Sequence, residues 1–298
     1  MADILKAPAK INLSLMITNR REDGYHEIES LFVPVPGLAD ILDVTSGALG
    51  SECVVESDLP DCPLERNLVW RAWRAYASAT GYAPDLRVRL TKRIPTGAGL
   101  GGGSSDAAAM LHWLQARAGE KALDAEALNT LAAGLGADVP FFLLGRPAVA
   151  QGIGERLTPA ALDLSAFTLV LAMPLVHVST PWAYGAYDEF EAEKKRTRPE
   201  AEPLTTLARA TKKRVSLSPV VARNDFEPVV FQAKAALRAI KERCLHLGAS
   251  CAVMSGSGAA ISALFRNADA ARSAAHALRQ DGFPVHVETL TNWGVAKW

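Results

Sequence analysis

Residues 94–111 read IPTGAGLGGGSSDAAAML, with five glycines in the seven positions from Gly97 to Gly103. Glycine loses more conformational freedom on ordering than any other residue, and it brings nothing to pack. Such a run is useful where backbone must bend tightly and approach something closely. It leads at once into Ser104, Ser105, Asp106 and three alanines, a sequence that starts a helix. Loop N–H groups free to converge, joined to the four unpaired N–H groups and positive end of a helix N-terminus, make an anion site, and phosphate is its usual guest. The stretch Pro95, Thr96, Gly97, Ala98, Gly99, Leu100, Gly101, Gly102, Gly103, Ser104 and Ser105 is therefore the first candidate site, for nucleotide phosphates.

Known phosphate loops fit it unequally. A Walker A loop needs Gly-Lys-Ser/Thr, and none follows here. Gly97, Gly99 and Gly102 satisfy G-x-G-x-x-G, and Asp124 follows at about the spacing a dinucleotide site uses. That acid should end a second buried strand, however, and GEKALD (119–124) is no strand. Leu86, Val88 and Leu90 alternate with polar residues, unlike a strand buried on both faces. A dinucleotide-dependent oxidoreductase is the weaker alternative. A protein kinase would place its glycine loop at the start and follow it with an H-R-D loop, which is missing.

The 298 residues suffice for one large domain or two ordinary ones, and 49% are hydrophobic. Lys+Arg and Asp+Glu both number 32, so the net charge is zero, a poor footprint for nucleic acid or a membrane surface. Cys53, Cys62, Cys244 and Cys251 form no C-x-x-C pair and read as reduced, buried thiols of a cytoplasmic protein. Lys6 and Lys10 interrupt the N-terminus, so it lacks the unbroken apolar stretch expected of a signal peptide. The longest apolar stretch, 166–178, is shorter than the roughly 20 residues of a membrane span.

Hydrophobic spacing predicts strands over 11–17, 31–35, 40–44, 53–56 and 86–90. Helices are expected from Asn67 to Thr80, Ser104 to Ala118, and Asp124 to Gly134. FFLLG and PAVAQG read as short strands. The second half gives strand 167–173, one helix from Val230 to Leu247, strands 251–254 and 259–265, helix 269–280 and strand 284–290. This β-α-β-β-α-β order is that of the ferredoxin-like motif. The expected class is α+β in two domains, 1–158 and 159–298. Segment 189–216 mixes charges and prolines without an apolar period and reads as a mobile surface stretch.

PTGAGLGGGSSDAA closely resembles the phosphate motif of the galactokinase, homoserine kinase, mevalonate kinase and phosphomevalonate kinase (GHMP) superfamily. APAKINLSL (7–15) and MSGSGAAISALF (254–265) are similar to its N- and C-terminal motifs, in family order and across most of the chain. DGYHEIESLF (23–32) and LGADVPFFLLG (135–145) resemble the branch that phosphorylates a diphosphocytidyl methylerythritol on the way to isoprenoid precursors. The resemblance implies an N-terminal domain like ribosomal protein S5 domain 2 and a ferredoxin-like C-terminal domain. It implies transfer of the ATP γ-phosphate to the 2-hydroxyl of that small molecule, with Mg²⁺ arriving on the phosphates and no dedicated protein metal site. A monomer or weak homodimer is expected. A sister kinase acting on homoserine or mevalonate is the nearest alternative, and an RNA-binding module a more distant one.

Roles carry over residue by residue. Asp138, in GADVPFF, is a good helix cap before Pro140 on its own chemistry; the resemblance makes it the general base. Lys10 alone would be a solvated strand lysine; the resemblance makes it the electrostatic partner of Asp138. Asn12 shares its strand face and is a candidate substrate contact. Tyr25 would stack on the cytosine ring and His26 would read its polar edge. His177, in PLVHVST, is expected near the second ring of that sandwich. Lys92 and Arg93 either touch nucleotide phosphates or decorate a strand end. Asp106 is assigned a structural, helix-capping role, and Ser255–Gly258 either offer N–H groups to phosphate or form a hairpin turn.

Overall fold

The computed structural model describes residues 2–47, 52–58, 62–197 and 222–290. Two long strands, β1 (Asp3–Arg20) and β2 (His26–Ser46), pair antiparallel from Asp3↔Val44 to Arg20↔His26. The separate strands expected at 31–35 and 40–44 are one bent strand. Residues 36–38 bulge out between Ala9↔Val35 and Pro8↔Ala39, so pairing resumes beyond Pro36 without a chain break. β3 (Cys53–Ser57) leads through α1 (Leu68–Thr80) to β4 (Leu86–Thr91). The Asn67 side chain accepts from Val69 N–H to start α1, and Gly81, at φ 68°, stops it.

The glycine loop then enters α2 (Gly102–Gln115), two residues earlier than Ser104. Ala107, Ala108 and Ala109 let α2 pack closely on α1 and β1. Asp124 caps α3 (Ala125–Leu135) as expected. FFLLG is not a strand: it lies in α4 (Val139–Leu144), where Pro140 presets the first turn and Gly145, at φ 65°, closes the last. Val139, Phe141 and Phe142 are buried in that turn. β5 (Ala148–Gln151) and β6 (Arg156–Pro159) follow.

The second half opens with β7 (Thr168–Ala172) and α5 (Thr180–Thr197), a helix the apolar spacing did not announce. Segment 189–216 is thus helical to Thr197, and its remainder lies outside the described residues. After β8 (Arg223–Asn224), the single helix expected over 230–247 is two, α6 (Glu227–Ala233) and α7 (Ala235–His246), broken at Lys234 (φ −133°). The apolar spacing runs through the break because Val230, Leu237, Ile240 and Cys244 all face one core. β9 (Cys251–Met254), β10 (Ile261–Phe265), α8 (Ala268–Gln280) and β11 (Val285–Thr289) complete the described chain.

Two sheets result. The first runs β3-β4-β2-β1-β8, with β5 and β6 added beside β2; the second runs β11-β7-β10-β9, all antiparallel. β8 crosses from the second half to pair parallel with β1 at Ser14↔Arg223. An apolar core formed by Ile11, Leu13, Leu31, Leu169 and Leu264 joins the sheets. The fold is α+β, as expected. Among the described residues no helix is long and apolar enough to cross a membrane. None of the four cysteines is in a disulfide; Cys62 is exposed rather than buried, while burial pushes the Cys53 thiol up to about 12 and the Cys244 and Cys251 thiols up to about 11.

Candidate active site

The glycine loop is held by its carbonyl groups. Lys10 N–H donates to Leu100 O (3.0 Å), Ala260 N–H to Ala98 O (3.2 Å), and Ser255 Oγ–H to Gly99 O (2.9 Å). In a trans peptide the N–H points opposite to the C=O, so these bonds direct the N–H groups of Gly99, Leu100 and Gly101 away from the partners that hold the loop. Gly99 and Gly101 adopt φ of 76° and 72°, a conformation that favours glycine. Space is equally tight: a methyl on Gly99 would lie 2.1 Å from Ser255 O, and one on Gly101 would lie 2.8 Å from the Phe142 ring. Above the loop is a cleft of about 360 Å³, lined by Pro95 to Ser104 and across from them by Arg66, Asn67 and Leu68.

Lys92 belongs to the loop's foundation. Its Nζ pairs with Asp40, which is fully buried, and lies 2.6 Å from Asp106 Oδ2. Asp40 Oδ1 also accepts from Ile94 N–H (2.8 Å) and from Arg93 N–H. One ammonium cannot neutralise two buried carboxylates, and desolvation with the Asp40 charge pushes the Asp106 carboxyl up to about 7 despite Lys92. Lys92 is therefore committed to this cluster, and Asp106 is no cap: Gly101 is the N-cap residue of α2 and Asp106 faces Lys92. The nearest serines differ. Ser104 lines the cleft, whereas Ser105 Oγ is buried and has no hydrogen-bond partner.

Beside Gly101, β1 presents Lys10, only 4% exposed. Its Nζ lies 3.3 Å from Asp138 Oδ2, donates to Asn12 Oδ1 (2.8 Å) and stands 4.7 Å from the Phe32 ring centroid. Asp138 occupies the N-cap position of α4, but its side chain makes no cap bond, which leaves the carboxylate to Lys10. Asn12 is fixed from all sides. Its Nδ2 donates to Ser30 Oγ (2.8 Å), and its N–H donates to Ser255 Oγ (3.1 Å). Ser255 thus ties the β1 site to the glycine loop, and the 255–258 segment is a hairpin turn. Asn224, on β8, holds that turn by donating to Met254 O and Gly256 O, both at 2.7 Å.

At the far end of the β1–β2 hairpin, Arg21 N–H donates to Tyr25 O (2.7 Å) across a tight turn that leaves the Tyr25 side chain 60% exposed. His26 is buried behind it. The ring that lies parallel to His26 is Tyr184 of α5, with centroids 4.5 Å apart and planes 18° apart. Burial, with the Asp138 charge adding, pushes the Tyr184 phenol up to about 12. His177 lies elsewhere, against the glycine loop: a methyl on Gly97 would come within 3.0 Å of its Nδ1. Sequence reasoning missed Tyr184 and Asp188, whose four-residue spacing in PWAYGAYDEF was the available signal.

Comparison with known proteins agrees with the fold and with the family that the motifs resemble. The family described as GHMP kinases N terminal domain matches residues 67–146, and that described as GHMP kinases C terminal matches 213–284. The chain is 47% identical over 279 residues to a 4-diphosphocytidyl-2-C-methyl-D-erythritol kinase from Solidesulfovibrio magneticus, covering 94% of each. It is 46% identical to the one from Nitratidesulfovibrio vulgaris, covering 96% of this chain and 98% of that one. A crystal structure of 4-(cytidine 5'-diphospho)-2C-methyl-D-erythritol kinase superposes with a TM-score of 0.76 at 38% identity, covering 96% of this chain and 98% of that one. With loop, fold and whole-length similarity in agreement, the chain belongs to the GHMP kinases, ATP-dependent small-molecule kinases, and within them to the 4-diphosphocytidyl-2-C-methyl-D-erythritol kinase family.

Proposed function

We propose that the enzyme transfers the γ-phosphoryl group of ATP to the 2-hydroxyl of 4-diphosphocytidyl-2-C-methyl-D-erythritol, releasing ADP, in isoprenoid precursor synthesis. The observation that carries the reading is Lys10, which pairs with Asp138 through its side chain and bonds Leu100 of the glycine loop through its backbone. An acceptor's base and a phosphate donor's loop thereby share one residue.

Phosphoryl transfer needs alignment, charge neutralisation and a destination for one proton. The loop from Pro95 to Ser105 and the start of α2 hold the ATP phosphates. Asp138 accepts the proton from the 2-hydroxyl as its oxygen bonds the γ-phosphorus and the bond to the bridging oxygen of ADP breaks. Lys10 steadies Asp138 and the charge developing on the transferred group. Asn12 orients the acceptor. Tyr25 stacks on cytosine, His26 reads its edge and Tyr184 backs His26; His177, above Gly97, lies on the phosphate side. Residues 1–158 supply the base and the nucleotide loop, and 159–298 supply α5 and the Ser255 turn.

Among the described residues no group of three His, Cys, Asp or Glu stands ready for a metal ion. The orphan Ser105 hydroxyl and the cleft-lining Ser104 fit an ion carried in on the phosphates, and these two would be the chain's donors to Mg²⁺. Bound there, Mg²⁺ would neutralise phosphate charge. The test is ADP release with Mg-ATP and, in parallel, the cytidyl acceptor, homoserine, mevalonate and galactose. Turnover with the cytidyl acceptor alone supports the reading; turnover with another acceptor keeps the kinase and removes the cytidine site.

A further inference from the structure

Arg20 and His26 are the last residue pair of the β1–β2 hairpin, and both side chains reach one carboxylate on α5. Asp188 Oδ1 lies 2.7 Å from His26 Nε2, and Asp188 Oδ2 lies 3.1 Å from Arg20 Nη1. One turn earlier on α5, Tyr184 covers the face of the same imidazole, and Phe226 meets Tyr184 edge-on at 4.8 Å. Residues four apart share a helix face, so α5 holds His26 by ring face and ring edge together. With the side chain 6% exposed and its face held by Tyr184, turning the imidazole over would keep the stack and break the bond to Asp188.

A carboxylate only accepts hydrogen bonds. The bond to Asp188 therefore puts a proton on His26 Nε2, and in the neutral ring Nδ1 is left as an acceptor. Arg20 on the second oxygen fixes the direction from which Asp188 accepts. We infer that Asp188 is a positioning residue for base selection: by keeping the proton on Nε2, it leaves His26 Nδ1 to accept from the amino group of cytosine and to oppose the carbonyl that uracil carries in its place. This rests on the cytidine-site reading above. The two pyrimidines differ at that position by donor against acceptor, so moving one proton across the imidazole would exchange which base is welcomed.

The test uses the full-length enzyme, Asp188→Asn, Asp188→Ala and His26→Ala. Three quantities are read: kcat/KM for the cytidyl acceptor and its uridyl analogue, KM for ATP, and the ¹⁵N shifts of His26, which distinguish its tautomers. The wild type should show the Nε2–H tautomer and prefer the cytidyl acceptor. Both Asp188 variants should lose that tautomer's dominance and roughly tenfold or more of the preference, through acceptor KM, with ATP KM unchanged. A wild-type His26 protonated on Nδ1 instead overturns the inference without any variant. A preference that depends on His26 yet survives in Asp188→Ala, with the tautomer unmoved, overturns this inference alone. A wild type with no preference, or a preference that persists in His26→Ala, overturns the cytidine reading and this inference with it.

Discussion

Lys10 Nζ stands 3.3 Å from Asp138 Oδ2 while donating at 2.8 Å to Asn12 Oδ1. The ammonium therefore aims at two oxygens, and only one can act as a base. The amide nitrogen of Asn12 is further tied to Ser30 Oγ at 2.8 Å, which anchors that side chain in the sheet. Asp138 makes no cap bond on its own helix, although its position at the start of α4 invites one.

Asp138→Asn should accordingly keep the fold and nucleotide affinity while turnover falls by a factor on the order of 10²–10⁴, the usual contribution of a positioned proton acceptor. Isothermal binding of ATP and single-turnover ADP release separate the two effects. Undiminished turnover would remove Asp138 from the mechanism.

Ser255→Ala strands Asn12 N–H and the Gly99 carbonyl, which the serine hydroxyl serves at 3.1 and 2.9 Å. A buried group left unpaired costs roughly 1–3 kcal/mol. The variant should unfold at lower urea and show slower turnover, since Asn12 and the loop lose their common anchor. Unchanged stability would mean water replaces the hydroxyl and the link is dispensable.

The parts that can be read from the sequence are those whose causes are local. Asn67 and Asp124 cap their helices because a short polar side chain just before an apolar period has few better uses. The loop is legible since five glycines have one common purpose. FFLLG was misread because a short apolar run fits a buried strand or a buried helix turn equally, and only Pro140 and Gly145 break the tie. α5 carries no clear apolar stripe, and its contacts with His26 come from the other end of the chain. Lys92 could not be assigned from its neighbours either: Asp40, its fully buried partner, sits on another strand. Lys10 and Asp138 were linked through family resemblance, since no spacing rule connects a strand lysine to a distant helix start.

Gly101→Val tests the loop directly. Gly101 sits at φ 72°, and its added Cβ would lie 2.8 Å from Phe142 and 3.2 Å from Lys10 Cγ. Both the nucleotide loop and the lysine should shift, so ATP affinity and turnover should fall together. Gly248→Ala is the control: its φ is also positive, 94°, but nothing lies within 4 Å, so it should cost only the roughly 1–2 kcal/mol of the left-handed backbone. Equal behaviour of the two variants would mean that crowding at the loop has no consequence for nucleotide binding.

The Lys92–Asp40–Asp106 cluster gives stability a pH dependence of predictable sign. The Asp106 carboxyl, ordinarily at 3.8, is pushed up to about 7 in the folded protein. Between those values the folded state holds a proton that the unfolded chain has released. Stability therefore falls as pH rises across that span and levels off above it. At about 1.36 kcal/mol per unit the slope could total up to about 4 kcal/mol. Asp106→Asn keeps the shape without the ionisable proton, so its urea midpoint should decline less over the same range. The difference between the two curves reports Asp106 together with its coupling to Lys92 and Asp40. Parallel curves would show that Asp106 is ionised throughout and that Lys92 alone neutralises the pair.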